Sequence, residues 1–215
     1  METKVEYFIS FDCGNKTLAY VVGCRTPTGL RICSDSGIHK PRYQYQPIKG
    51  ILDVGKIGID ILDMNVIDLL DGAKLKKSNK DVIIKKLVDV LNGIKLFTTN
   101  TNLSSYAIYI ENQQKTNPDT LIIQSSLSTY YTGKGCNITS VPPSLKNTIA
   151  FSEAGLIQNF YAKYSTNHAA NKAQATYAIN EYLTYKKQKS PVSKALTNHI
   201  GDAFMQVVGY HSYIG

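Results

Sequence analysis

The first 70 residues alternate between apolar runs and short polar breaks, a pattern typical of β-strands joined by turns. Residues 4–12 (KVEYFISFD) and 18–24 (LAYVVGC) flank the turn-like sequence GNK, which predicts a hairpin. Residues 57–70 (IGIDILDMNVIDLL) alternate apolar and polar side chains and then reach a DG turn, as a half-buried strand does. The pattern predicts three antiparallel strands.

The segment between the hairpin and the third strand has a different composition. Residues 25–56 contain prolines at positions 27, 41 and 47 and several glycines. We interpret this segment as a loop or hairpin insertion that holds one short strand at residues 30–33.

The second half of the chain changes to helical periodicity. Apolar residues recur at helical spacing in four segments, residues 80–97, 118–131, 169–187 and 198–210. Two short apolar segments predict further strands, residues 105–110 and 138–141. Three strands followed by alternating helices and strands predict an α/β fold with one mixed sheet flanked by helices. The length of 215 residues favours one domain.

The composition excludes several classes of protein. With 43% hydrophobic and 19% charged residues, the chain is not a disordered tail. No stretch is apolar for long enough to span a membrane, and the N-terminus lacks the features of a signal peptide. Four cysteines without a CxxC pair predict reduced thiols rather than a disulfide framework or a zinc module. We expect a soluble, intracellular protein with no membrane partner.

The charge points to a class of partner. The chain has 24 basic and 16 acidic residues, a net charge of +8 and a pI near 9.2, which favours polyanions. Residues 154–198 contain six lysines and a single acidic residue, Glu181. A nucleic acid is one interpretation of this excess, and a well-solvated surface is the other.

Two carboxylates follow buried strands of the predicted sheet. Asp12 comes after the apolar run at residues 7–11, and Glu111 directly follows YAIYI. An unpaired carboxylate in a core is costly, and neighbouring parallel strands would place these two side by side. A divalent cation between them would explain the pair. For either residue alone, a strand end that faces water is the alternative.

The last predicted helix adds a third group of ligands. His199 and Asp202 are three residues apart and therefore point the same way. A capping Asp beside a surface His is the alternative interpretation. Together with Asp12 and Glu111 they form an oxygen-rich set with one imidazole, which suits Mg²⁺ or Mn²⁺ rather than structural zinc. Two such ions would support phosphodiester hydrolysis by activating a water.

The order of these motifs resembles the RuvC-like Holliday junction resolvases, and most closely their branch in large DNA viruses, including poxviruses, and in mitochondria. The opening FISFDCGNKTLAYVV is similar to the first hairpin of the family, although Asn15 and Thr17 depart from its commoner residues. NVIDLLDG, YAIYIENQQKTNPD, VPPSLKN and NHIGDAFMQVVGY resemble its later segments in the right order. Residues 25–56 and about 150–168 fall outside the resemblance.

The resemblance implies a ribonuclease H-like fold and a homodimer that cuts four-way DNA junctions with a divalent metal, Mg²⁺ or Mn²⁺, with two ions per site. It implies that the metal ligands are Asp12, Glu111 and Asp202, with His199 as a ligand, a proton-transfer group or a phosphate contact. Such a protein would act at a cytoplasmic site of viral DNA replication, or in the nucleus or a mitochondrion.

Residues near these motifs are candidates for contact with DNA. Lys146 follows a strand and could offset charge on the scissile phosphate, and Gln113 and Gln114 could contact the backbone. Lysines supply the salt-sensitive part of affinity for phosphates. The candidate DNA-binding residues are Lys16, Gln113, Gln114, Lys115, Lys146, Lys163, Lys172, Lys186 and Lys187. The alternatives are another ribonuclease H-fold nuclease that acts on RNA–DNA hybrids or branched replication DNA, and a catalytically inactive nucleic-acid-binding relative.

Overall fold

The fold is built on a mixed sheet whose strands come from both halves of the chain. The structure is a computed structural model. It describes residues 5–26, 50–51, 57–74, 80–96, 103–114, 116–147, 149–150, 163–164, 166–193 and 196–214. The strands in these ranges are β1 (Glu6–Cys13), β2 (Thr17–Arg25), β3 (Gly50–Ile51), β4 (Ile59–Asp68), β5 (Tyr106–Glu111), β6 (Asn137–Val141) and β7 (Ile149–Ala150).

Five of these strands form the main sheet in the order β4-β2-β1-β5-β6. β2 pairs antiparallel with both β1 and β4, whereas β5 is parallel to β1 and β6 is parallel to β5. The predicted mixed sheet, with three antiparallel strands followed by parallel strands, is confirmed. This order and these directions define a ribonuclease H-like fold.

Helices cover both faces of the sheet. They are α1 (Lys80–Gly93), α2 (Pro118–Gly133), α3 (Asn167–Tyr185) and α4 (Thr197–Ile214) within the described ranges. All four predicted helices are present. α1 ends earlier than predicted, at Gly93, and α4 runs past residue 210 because buried residues such as His211 continue its packed face.

The alternation of side chains along the central strands produces two cores. Ile9 and Phe11 of β1 pack with α1 and α2, while Phe8 of the same strand packs with Tyr182 of α3 and Phe204 of α4. Successive residues of a strand point to opposite faces, so a strand buried on both sides is apolar throughout. A polar residue on β1 or β5 therefore needs a specific partner.

The predicted insertion at residues 25–56 lies mostly outside the described residues, and so does the short strand predicted at residues 30–33. Two of its residues, Gly50–Ile51, pair in parallel with Ile149–Ala150 as a separate two-stranded sheet that the sequence pattern did not indicate. Of the four cysteines, the structure describes Cys13, Cys24 and Cys136, each a free thiol. No helix within the described ranges has the length and apolar character needed to cross a bilayer.

Candidate active site

The direction of side chains along β1 turns Asp12 toward α4. Phe8 faces α3 and α4, and Ile9 and Phe11 face the opposite helices. Because the period of a strand is two residues, Ser10 and Asp12 share the face of Phe8. Asp12 therefore lies on the α4 side, near the end of β1.

β5 brings Glu111 to the same place. The parallel register pairs Phe11 with Ile110, so Asp12 and Glu111 follow at the ends of neighbouring strands. Tyr109 packs in the core on the α4 side, and Glu111, two residues further on, faces the same way. Asp12 and Glu111 are only 7% and 8% exposed. The structure thus places the two carboxylates side by side, as the strand pattern predicted.

α4 supplies the third carboxylate, Asp202, which is also buried. One turn later on the same helix face, the Gln206 side-chain oxygen accepts a hydrogen bond from the Ser10 hydroxyl at 3.4 Å. Ser10 precedes Asp12 by two residues on one face of β1. The Ser10–Gln206 contact therefore fixes α4 on β1 so that Asp202 lies beside Asp12.

Two glycines of α4 allow its neighbours to approach closely. A Cβ atom at Gly201 would lie 2.3 Å from the carbonyl oxygen of Ala175 in α3. A Cβ atom at Gly209 would lie 2.6 Å from the carbonyl oxygen of Leu145. Leu145 begins the short 3₁₀ turn Leu145–Asn147. The glycines therefore let both α3 and this turn pack against the backbone of α4.

The 3₁₀ turn places Lys146 at the centre of the carboxylates. Its Nζ atom lies 3.0 Å from Oε1 of Glu111, 3.3 Å from Oδ1 of Asp202 and 3.8 Å from Oδ1 of Asp12. The turn is held by a hydrogen bond from the Leu145 N–H to the Pro142 carbonyl at 3.0 Å. An ammonium group, rather than a surface residue, therefore occupies the middle of the cluster.

Burial and charge set the protonation of the cluster. Burial raises the pKa of Glu111 to about 8, since the nearby charge of Lys146 offsets it only in part and Asp12 adds to it. Burial also raises the pKa of Asp202 to about 6, against the influence of Lys146. Burial acts on Asp12 in the same direction, but a hydrogen bond to His199 and the charge of Lys146 outweigh it and lower its pKa. Asp12 is therefore the member of the cluster that ionises most readily, and Glu111 is the one that holds a proton most strongly.

The same charges act on Lys146. Burial alone would lower the pKa of its ammonium group, but the three surrounding carboxylates outweigh burial and raise the pKa above its usual value. Lys146 is therefore a cation at physiological pH. Its side chain is only 11% exposed, so the ammonium group, rather than bulk water, lies against the carboxylates.

His199 lies at the edge of the cluster and contacts one carboxylate. Its Nδ1 atom is 3.1 Å from Oδ2 of Asp12. Because Asp12 is ionised and can only accept, the Nδ1–H group donates this hydrogen bond. His199 thus orients Asp12 so that the other carboxylate oxygen, Oδ1, faces Lys146.

A cavity of about 300 Å³ opens beside the cluster. The first turns of α3 form one wall with His168, Asn171 and Lys172, which share one helix face. Sequence reasoning predicted Lys172 only as a DNA contact and missed His168 and Asn171. Their i, i+3, i+4 spacing was visible in the sequence, but nothing there indicated which face of α3 meets the cavity.

The carboxylate cluster offers oxygen ligands to a divalent metal. Among the described residues, no group of three or more His, Cys, Asp or Glu side chains is arranged to hold a metal ion as it stands. The three carboxylates instead surround the Lys146 ammonium group, whose Nζ atom lies 3.0–3.8 Å from their oxygens. The donor set itself, three buried carboxylates around a cation, fits Mg²⁺ or Mn²⁺.

The predicted DNA-binding residues fall into separate places. Gln113 and Gln114 line a groove of about 620 Å³ that shares Pro143 with the cavity, and Gln124 of the same groove accepts the Gln113 N–H at 2.9 Å. Lys16 lies in the β1–β2 turn, 3.7 Å from Asp68.

Two other predicted contacts, Lys186 and Lys187, lie away from the cluster. Lys186 and Lys187 follow the far end of α3, where Lys186 pairs with Asp60 at the start of β4. Lys163 is exposed and lies over the ring of Tyr164. Lys115 is outside the described residues. The structure therefore gathers Lys146 and Lys172 at the cluster and places Lys186 and Lys187 at the far end of α3.

Comparison with known proteins gives structural likeness only. No family model matches the sequence, and no match is found among curated proteins. Thermus thermophilus RuvC in complex with a Holliday junction substrate has 11% identity and a TM-score of 0.49, covering 98% of this chain and 95% of that one. Fowlpox virus resolvase with substrate Holliday junction DNA has 11% identity and a TM-score of 0.48, covering 97% and 98%. A second structure of Thermus thermophilus RuvC has 11% identity and a TM-score of 0.46, covering 98% and 95%. The fold assignment rests on the strand order and directions described above.

Proposed function

We propose that this chain is a metal-dependent, structure-selective endonuclease that resolves four-way DNA junctions by phosphodiester hydrolysis. The observation that carries the proposal is the convergence of three buried carboxylates, from β1, β5 and α4, on one cation. The cavity wall that contains Lys172 lies beside them. The order of the sequence motifs, which resembles that of RuvC-like resolvases, supports the choice of substrate.

The site residues would have different roles in such a reaction. Asp12, Glu111 and Asp202 would hold Mg²⁺ or Mn²⁺, which when bound supplies Lewis acid activation of water and of the leaving oxygen. His199 keeps Asp12 oriented through the Nδ1 hydrogen bond. Lys172, on the cavity wall, is placed to bind a phosphate oxygen.

A four-way junction has two-fold symmetry, which suggests how two copies would act. Two protomers related by a two-fold axis would present two equivalent sites to opposing strands of the junction. Paired nicks at symmetric positions would follow. Homodimer formation is part of the proposal.

The test is a comparison of binding and cleavage in carboxylate variants. D12N and E111Q should bind a four-way junction with an affinity within a few-fold of wild type and lose cleavage in Mg²⁺. The loss should be on the order of a thousandfold or more, as for groups that act only in the transition state. D60N is the control, because Asp60 lies at the opposite end of the sheet and pairs with Lys186. Full cleavage by D12N or E111Q would contradict the proposal.

A non-catalytic nucleic-acid-binding protein is a second candidate, favoured by the position of Lys146 among the carboxylates. A panel of a four-way junction, a flap and an RNA–DNA hybrid, each with and without Mg²⁺, separates the functions. Selective cleavage of the junction is expected. Binding of all three without cleavage would favour the second candidate, and cleavage of the hybrid alone would favour a different ribonuclease H-fold nuclease.

A further inference from the structure

Lys146 is an internal cation at the point where the three carboxylates meet. Its Nζ atom lies within 3.8 Å of an oxygen from each of them. We propose that the Lys146 ammonium holds the place of the metal in the metal-free protein, and that a divalent ion and this ammonium exchange at the cluster. This inference rests on the proposed function.

Three acidic side chains buried together repel one another unless a cation lies between them. Lys146 supplies that cation from within the chain. A divalent ion bound to the same oxygens would lie only a few ångströms from the ammonium, and two cations at that distance repel strongly in a buried site. The two cations therefore compete for one position.

The backbone of Leu145–Asn147 is fixed by the Leu145 and Asn147 N–H groups, which donate to the carbonyls of Pro142 and Ser144. The lysine side chain, in contrast, rotates about four bonds and lies beside the cavity of about 300 Å³. Exchange therefore requires a rotamer change of Lys146 into the cavity, with no movement of the turn. There it would lie opposite His168 and Lys172, in the space offered to a phosphate.

A lysine that stays among the carboxylates and assists metal binding is the competing arrangement. The two arrangements predict opposite effects of removing the ammonium. If Lys146 competes with the metal, its loss tightens metal binding and weakens the metal-free fold. If Lys146 supports the metal site, its loss weakens metal binding.

The experiment measures Mn²⁺ binding by titration calorimetry and thermal unfolding with and without Mn²⁺, using wild type, K146M and K172M. K146M should bind Mn²⁺ about tenfold or more tightly, the result of relieving repulsion at the cluster. Without metal, its melting temperature should fall by several degrees, roughly 5 °C, and Mn²⁺ should restore it. K172M removes a cavity-wall charge that acts on Asp202 through space but leaves the three contacts of Lys146 in place, so its Mn²⁺ affinity should change only a few-fold.

A second measurement uses the wild-type chain and does not depend on the folding of a variant. Amine-reactive labelling followed by mass spectrometry reports the exposure of Lys146, which should be protected without metal and become several-fold more reactive in Mn²⁺. Lys172 is the internal reference. Unchanged labelling of Lys146 in a protein that binds Mn²⁺ would overturn the exchange.

The outcomes separate this inference from the proposed function. Weaker or equal Mn²⁺ binding by K146M, with binding by wild type, overturns the exchange and leaves the nuclease proposal intact. Binding by K146M but not by wild type supports Lys146 as the resident cation and counts against metal-dependent cleavage by the natural chain. Absence of Mn²⁺ binding in both proteins at millimolar metal overturns both.

Discussion

The contact between His199 and Asp12 shows how one neighbour can favour the ionised form of a buried carboxylate. The Nδ1 atom of His199 lies 3.1 Å from Asp12, and together with Lys146 it keeps Asp12 ionised despite burial. For Glu111, burial and the neighbouring charge of Asp12 outweigh the charge of Lys146 and raise its pKa to about 8. Two buried carboxylates side by side thus differ because the hydrogen bond from His199 acts on only one of them.

Removal of His199 should therefore weaken metal binding through Asp12. We expect H199A to lower Mn²⁺ affinity by about 10- to 100-fold, the range seen when a hydrogen-bond partner of a metal ligand is lost. H199N, which keeps a hydrogen-bond donor, should recover part of the lost Mn²⁺ affinity. The matched control is H168A, because His168 lines the same cavity without a contact to Asp12 among the described interactions. Unchanged Mn²⁺ affinity in H199A would show that Asp12 does not need the imidazole.

At the scale of elements, α4 is the part on which the site is assembled. It carries His199 and Asp202, and it contacts β1 through Gln206. α3 and the Leu145–Asn147 turn pack against its backbone at two glycines. Alanine is about 1 kcal/mol more favourable than glycine inside a helix. Glycine at these two points therefore reflects the close approach of neighbouring backbone rather than helix propensity.

G201A and G209A should destabilise the protein in spite of that propensity. The added Cβ atom would lie 2.3 Å or 2.6 Å from a backbone carbonyl oxygen, and the overpacking should cost about 1–3 kcal/mol of unfolding free energy. Urea unfolding measures the change. G133A is the control, because nothing lies within 4 Å of a Cβ atom there, and its stability should be unchanged or slightly higher. A fully stable G201A would contradict the close packing of α3 on α4.

A second contact between elements gives a dependence of stability on pH. The Tyr109 hydroxyl of β5 lies 2.8 Å from Nε2 of His211 in α4. Burial, with a smaller contribution from Arg25, lowers the pKa of His211 to about 4. Between about pH 6.5 and 4 the unfolded histidine binds a proton that the folded one does not, so stability is lost as pH falls through this range.

The H211Q variant isolates this effect. Wild type should lose on the order of 3 kcal/mol more than H211Q between about pH 7 and 4, since each pKa unit corresponds to 1.36 kcal/mol. The measurement is the unfolding free energy by urea at several pH values. Parallel pH profiles for the two proteins would show that His211 is not held neutral in the fold.

For the whole molecule, local patterns predicted more of the fold than of the site. The periodicity of apolar residues predicted the helices and the central strands, because burial on one or two faces repeats along the chain. The ends of two apolar strands predicted Asp12 and Glu111 as site residues. The placement of Lys146 among the carboxylates depends on how a loop packs on α4, and the wall containing His168 depends on the rotation of α3. Contacts of that kind between distant segments leave no periodic signal in one sequence.

The distribution of charge over the molecule leads to a prediction for DNA binding. Lys172 lies at the cavity, whereas Lys187 follows the other end of α3, about 20 Å from Lys172 along the helix axis. Lys134 follows α2, on the opposite face of the sheet, over the ring of Tyr130. A DNA arm bound at the site would therefore meet Lys172 first and would not reach Lys134.

Salt dependence of junction binding distinguishes these lysines. Each phosphate contact contributes about 0.9 to the slope of log affinity against log salt on duplex DNA, because it releases a counterion. In the E111Q background, which prevents cleavage, K172Q should lower the slope by about 1 and K134Q should leave it unchanged. Fluorescence anisotropy between about 50 and 200 mM salt measures this slope.

The lysines at the far end of α3 report whether DNA continues along that helix. If it does, K187Q lowers the slope as K172Q does, while K186Q lowers it less because Lys186 already pairs with Asp60. Equal slopes for K172Q and K134Q would mean that the cavity wall lies outside the DNA interface, and the surface proposed for the junction would have to be placed elsewhere.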